Sequence, residues 1–231
     1  MSTRRAAVRI AAIALPALVA AGCADGRHAD AAHHPHPGPA VASSASIGSR
    51  AAPGAIVPAF PLLNQDGRGQ SVRDFAGRVL IVTFVYTRCP VSDFCPLMVR
   101  HLERVRRRAN DAGLGGRVAF LGVTLDPSFD TAPVLRAYGQ SALAGPRAFE
   151  QWTLATGSAA QVGDVARFFG VDYRPESGFV THTLATAVVS HDGRVVRVFP
   201  SNSWTPDDMF DLVAQAVTRA IADQQPHDTK E

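Results

Sequence analysis

Arg78 to Tyr86 reads Arg-Val-Leu-Ile-Val-Thr-Phe-Val-Tyr, a run of β-branched and aromatic residues with no polar alternation. Such a strand has no face to give to water, so both faces must be covered by other elements. That places it at the centre of an α/β sheet. The run breaks at Thr87-Arg88-Cys89-Pro90. A helix is predicted from Pro96 to Ala112, where Leu97, Met98, Val99, Leu102 and Val105 carry the helical period. Gly113 and Gly115-Gly116 stop it.

The rest of the chain supplies partners for that strand. Val118 to Leu125 is a second buried strand ending at Asp126-Pro127, and Asp130-Thr131-Ala132-Pro133 starts a helix running to about Gly139. A third helix is predicted over Ala159 to Phe169. Strands over Thr183–Ser190 and Val195–Phe199 form a hairpin around His191-Asp192-Gly193, where Asp-Gly is the turn signal. Thr205 to Ala222 closes the chain as an amphipathic helix with Pro206 in its first turn. Ahead of the central strand, Phe60 to Val72 reads as two short strands around Gln65-Asp66-Gly67. The expected fold is α/β: a thioredoxin-like mixed sheet with helices on both faces and an N-terminal β-hairpin. The domain is expected over 56–222, with 223–231 as a tail.

The N-terminus declares an address. Arg4, Arg5 and Arg9 precede or interrupt an apolar run, Val8 to Val19, that is short for a ~30 Å hydrocarbon core. The run ends in Ala20-Ala21-Gly22-Cys23. This resembles a lipoprotein signal over 1–22, with Cys23 as the lipidated first residue. An ordinary signal peptide with an incidental Cys23 is the alternative, and Arg4-Arg5 gives a weaker hint of twin-arginine export. The protein is therefore expected on the periplasmic, extracytoplasmic side, held to a membrane by lipid. Residues 23–55 are poor in large apolar side chains and read as a flexible tether. His28, His33, His34 and His36 within it suit either a neutral linker or weak metal binding.

Removing 1–22 takes three arginines and no acids, so the formal charge of +3 falls to about zero. No concentrated basic patch remains, which excludes nucleic acid as a partner. Arg100, Arg104, Arg106, Arg107 and Arg108 fall in one predicted helix and read as its solvated face.

Cys89 and Cys95 lie between the end of the central strand and the first turn of a helix. Free N–H groups and the positive end of the helix dipole favour thiolate there. A thiolate pair serves disulfide exchange or soft-metal binding. A structural disulfide would close only a tiny loop and constrain little of the unfolded chain. His182 precedes the Thr183–Ser190 strand. If that strand runs antiparallel to the central ones, its beginning lies at the edge carrying Cys89 and Asp126. Two thiolates and an imidazole there make an S2N set suited to Cu(I) and serviceable for Cu(II).

These motifs carry a resemblance. Tyr86-Thr87-Arg88-Cys89-Pro90 with Asp93-Phe94-Cys95-Pro96, Thr124-Leu125-Asp126-Pro127 with Asp130-Thr131 and Tyr138, Trp152, Thr156-Gly157 and His182-Thr183 are similar to the Sco/SenC family. The resemblance spans about Ile56 to Val217. It implies a membrane-tethered thioredoxin-fold copper chaperone for the copper-bearing subunit of cytochrome c oxidase, or for another copper or thiol protein. It implies copper on Cys89, Cys95 and His182, with Asp126 beside the site or facing a partner. The family pattern has three residues between the cysteines; this chain has five, Pro90 to Phe94. A redox-active Cys89–Cys95 pair in a thiol–disulfide oxidoreductase is the second reading, and a peroxidase a distant third.

Overall fold

The computed structural model describes residues 50–145, 147–176 and 179–225. The expected signal, Cys23 and the tether histidines lie outside these residues. So does most of the expected tail.

A seven-stranded sheet runs in the order β2-β1-β5-β4-β3-β8-β9. Its middle is β3 (Val79–Val85), β4 (Val118–Thr124) and β5 (Trp152–Thr156), all parallel. Every residue of β3 and β4 is buried, as their unbroken apolar sequences require. β8 (Thr186–Val189) joins β3 antiparallel, and β9 (Val195–Phe199) follows through the expected hairpin. Gly193 takes φ 82° in its turn, a conformation that favours glycine. β1 (Leu62–Asn64) and β2 (Gly69–Gln70) form the N-terminal hairpin on the other edge.

Alternate β3 residues feed two cores. Val79, Ile81 and Val85 meet α1 (Cys95–Asp111), α4 (Pro206–Asp223) and Leu135 of α2 (Ala132–Ala142). Leu80, Val82 and Phe84 meet α3 (Ala159–Phe168) and the N-terminal segment around Val57 and Phe60. Helices therefore cover both faces. Ser158 and Thr205 each close a capping box at the start of α3 and α4, satisfying backbone N–H groups that have no partner within the helix.

One strand is added to the expected set and three expectations are corrected. The central strand β5 falls in a five-residue stretch, Trp-Thr-Leu-Ala-Thr, too short and too mixed to announce itself. The strand expected over Thr183–Ser190 begins only at Thr186. Phe179–His182 is instead β7, paired with β6 (Tyr173–Glu176) in a separate hairpin, with Tyr173 opposite His182. Arg50 to Ala55, assigned by composition to the tether, folds onto the domain: Ala51 N–H donates to the Phe168 carbonyl at 3.1 Å and Gly54 N–H to that of Val195 at 2.7 Å. Arg106 is not on a solvated face. It is buried, chelating Glu103 through Nε (3.0 Å) and one terminal nitrogen (2.9 Å). The Trp152 indole N–H donates to the same carboxylate at 2.6 Å.

Candidate thiol and metal site

The C-terminal ends of β3 and β4 form the edge on which the site is built. Beyond Val85 the chain runs through Tyr86, Thr87 and Arg88 to Cys89, then loops into α1, whose first residue is Cys95. The loop is held by its flanks. Asp130, fully buried, accepts hydrogen bonds from Thr87 N–H (3.1 Å), Thr87 Oγ1 (2.5 Å) and Thr124 Oγ1 (2.6 Å). This one carboxylate ties the start of the cysteine loop to the end of β4. Asp126, also buried, pairs at 2.5 Å with Arg88, whose guanidinium stacks 4.0 Å over the Phe129 ring. Asp126 therefore reaches the site through the residue next to Cys89.

Cys89 is half-buried, Cys95 is buried, and both are free thiols. Phe94 sits where a helix cap belongs but has no side chain able to accept the first N–H groups of α1. The Cys89 sulfur takes over part of that role. Its pKa falls from 9.0 to about 5, first through the hydrogen bond from the Cys95 thiol, against the cost of burial, then through the backbone N–H of Cys95 and the Tyr86 hydroxyl. The Cys95 thiol moves the opposite way. It keeps its proton because it donates it to Cys89 and because it is buried. The pair thus holds a single shared negative charge, and the nucleophilic sulfur is the exposed one.

Two tyrosines flank the pair. Burial, and then the adjacent Cys89, push the Tyr86 phenol up to about 12. Tyr138 on α2 is also raised, first by burial and then by the cysteines and Asp130. Both remain protonated and able to donate.

His182 ends β7 and lies against Tyr86, with ring centroids 5.8 Å apart and planes at 88°. Its Nδ1 faces the Thr183 carbonyl at 2.9 Å, a contact that requires Nδ1 to carry the proton. Nε2 is then the nitrogen with a free lone pair. Cys89 and Cys95 are brought together, and Asp126 is linked to them through Arg88. His182 reaches the same edge but stands on the far side of Tyr86. Among the described residues no three His, Cys, Asp or Glu side chains form a group able to hold a metal ion. The alternation of β3 offered a signal for Tyr86: it follows Val82 and Phe84 onto one face and into the same core.

The rim is apolar. Val91 and Phe94 in the cysteine loop and Phe129 beside Arg88 are three of the seven large exposed hydrophobics among the described residues. That concentration around the cysteine loop marks a surface fit for a protein partner.

A profile of the SCO1/SenC family matches residues 48–218. The chain belongs to the SCO1/SenC family. It is 26% identical over 164 residues to the SCO1 protein homolog of Bacillus subtilis, covering 69% of this chain and 81% of that one. Against mitochondrial SCO relatives it spans about half their length. Among solved structures it is similar to copper-bound ScoI of Arabidopsis thaliana (TM-score 0.62, 23% identity, covering 71% of this chain and 99% of that one). It is also similar to BsSco, described as a member of the Sco family of cytochrome c oxidase assembly proteins, with a disulfide switch (TM-score 0.61, 25% identity, covering 73% and 97%). The fold of this Sco member is thioredoxin-like.

Proposed function

We propose that this Sco protein is a copper chaperone that carries the ion on Cys89, Cys95 and His182 and passes it to the copper-bearing subunit of cytochrome c oxidase. The observation that carries the reading is the donor set on one sheet edge: a thiolate at Cys89, a second sulfur held against it, and a histidine whose Nε2 lone pair is free. Soft sulfur donors suit Cu(I), and an imidazole extends the set to Cu(II). Copper is cargo here. The protein's part is to hold it at an exposed edge, among apolar residues where a partner's ligands can reach it. The copper bound to ScoI of Arabidopsis thaliana supports copper as the cargo.

Loading asks two things of the chain. Cys95 must release its proton to a metal strong enough to displace it, as metal–thiolate binding does generally. His182 must leave the Tyr86 ring edge. The five-residue loop from Pro90 to Phe94 is where the sulfur positions can adjust. Anchoring through a lipid on Cys23, on the exported side of a membrane, is part of the same proposal. It predicts that Cys23→Ser releases the protein into the soluble extracytoplasmic fraction. Copper titration of the reduced protein, followed by thiolate-to-copper absorption, tests the site. One equivalent is expected, weakened by His182→Ala; no binding, or binding indifferent to His182, overturns it.

A second reading rests on the asymmetry of the pair. An exposed low-pKa thiol backed by a buried protonated one is the arrangement of a dithiol reductant. A potential below roughly −300 mV, the range of inert structural disulfides, together with no rate advantage over a free thiol in disulfide exchange, would count against that reading.

A further inference from the structure

At the opposite end of the sheet from the cysteines, where β3 begins and the β8–β9 hairpin turns, a cavity of about 240 Å3 opens to the surface. Val57, Val72, Phe75, Leu80 and Val189 form its lining, and each is buried. The walls are pinned by backbone pairing. Leu80 stands opposite Val189 in the β3–β8 ladder, and Val57 N–H donates to the Gly193 carbonyl at 2.9 Å.

The mouth is cationic. Arg73 and Arg78 both line it, and among the described residues neither is paired with a carboxylate. The acids nearby are committed. Asp192 accepts from Ser190 and from Arg194 Nε at 3.1 Å, and Asp74 accepts the Ser71 N–H at 2.7 Å in a capping box. An apolar hollow offers water few partners, and two unpaired guanidinium groups at its lip attract one anionic group. A body that is apolar with one charged end satisfies both features at once. The space equals about eight water volumes, which is room for a chain of about eight carbons.

We infer that this cavity binds a short acyl chain ending in a carboxylate or phosphate, with the chain among Val72, Phe75 and Leu80 and the anionic head between Arg73 and Arg78. The site is independent of the cysteine edge and of copper. Its ligand chemistry is shared by free fatty acids and by anionic membrane lipids.

Octanoate titrated into the full chain, followed by calorimetry, is the direct test. Saturable binding with a Kd on the order of 100 μM is expected, with octanol at least about tenfold weaker. Arg73→Glu alone, and together with Arg78→Glu, should weaken octanoate by about tenfold or more while circular dichroism stays unchanged. Ala76→Trp, at the exposed wall, should block entry. No saturation by about 10 mM, equal binding of octanol and octanoate, or folded Arg73→Glu protein with unchanged affinity overturns the proposal. Co-sedimentation with phosphatidylglycerol vesicles but not phosphatidylcholine vesicles, lost in Arg73→Glu, assigns the source to a membrane lipid. Octanoate binding without sedimentation assigns it to a free acid.

Discussion

The rings of Tyr86 and His182 meet edge to face, with centroids 5.8 Å apart, while the Tyr86 hydroxyl hydrogen-bonds to Cys89. One side chain thus touches the thiolate with its polar end and the hairpin histidine with its ring. Tyr86 thus links the sulfur and the imidazole on this edge.

Tyr86→Phe should leave the ring packing intact and remove one donor from Cys89. The pKa of Cys89 should then rise by about one pH unit, the worth of a hydrogen bond to a charged group. Iodoacetamide alkylation rates measured from pH 4 to 9 would show the displaced midpoint. An unchanged midpoint would mean the Tyr86 hydroxyl does nothing for the thiolate. Nuclear magnetic resonance offers a second check. The His182 ring protons should be ring-current shifted in the metal-free protein and lose that shift on adding copper.

The sulfur pair has its own pH signature. Cys89 titrates at about 5, so its alkylation should be fast and flat above pH 6 and should slow as pH falls below 5 and the thiolate is protonated. Cys95 should not react over that range. In Cys95→Ala the largest stabilising hydrogen bond is gone, so the Cys89 midpoint should climb towards the ordinary thiol range. At pH 6 the variant should react many-fold more slowly than the parent. Equal rates would show that the two sulfurs do not share a proton.

Much of this was legible in the residues, and the exceptions have physical causes. β3, β4 and α1 announced themselves because burial on both faces, or on one helical stripe, leaves an unbroken periodic pattern. β5 did not, since its five residues make too short a run to stand out despite Trp152 and two threonines, and they gain their place by pairing with Phe120 and Leu121 of β4 alongside. Arg106 was misread because a charge run on a helix says nothing of a Glu three residues earlier and an indole from β5 closing over it. The two cysteines were recognisable from strand–loop–helix order alone. The position of His182 behind Tyr86 was not, because it depends on a small hairpin whose strands carry Arg174, Pro175 and Glu176, residues that do not favour sheet.

Asp130 carries the start of the cysteine loop through neutral donors. Replacing it with Ala leaves Thr87 N–H, the half-buried Thr87 hydroxyl and the buried Thr124 hydroxyl without their acceptor, at a cost of about 3 kcal/mol. Urea midpoints at constant m-value would measure that loss. Amide hydrogen exchange at Thr87 should accelerate well beyond the global change, because the tie from loop to β4 is local. Exchange at Thr87 no faster than in the sheet would mean that other contacts hold the loop.

Glu103 is a further buried carboxylate with a structural task. It accepts from Arg106 twice, from the Trp152 indole at 2.6 Å and from Ala144 N–H at 3.1 Å, joining α1, β5 and the segment after α2. Glu103→Ala strands Arg106 in the interior with only the Ala144 carbonyl (2.7 Å) and Gln151 (3.3 Å) as partners. Losing one member of a buried pair costs about 3–5 kcal/mol, because the other charge remains desolvated. Replacing both residues at once, Glu103→Leu with Arg106→Met, removes the stranded charge, so the double variant should be more stable than Glu103→Ala. Thermal unfolding of the three proteins decides between the two accounts. If the double variant is no better than the single one, the network is holding its three elements in register through hydrogen-bond geometry that apolar packing does not replace.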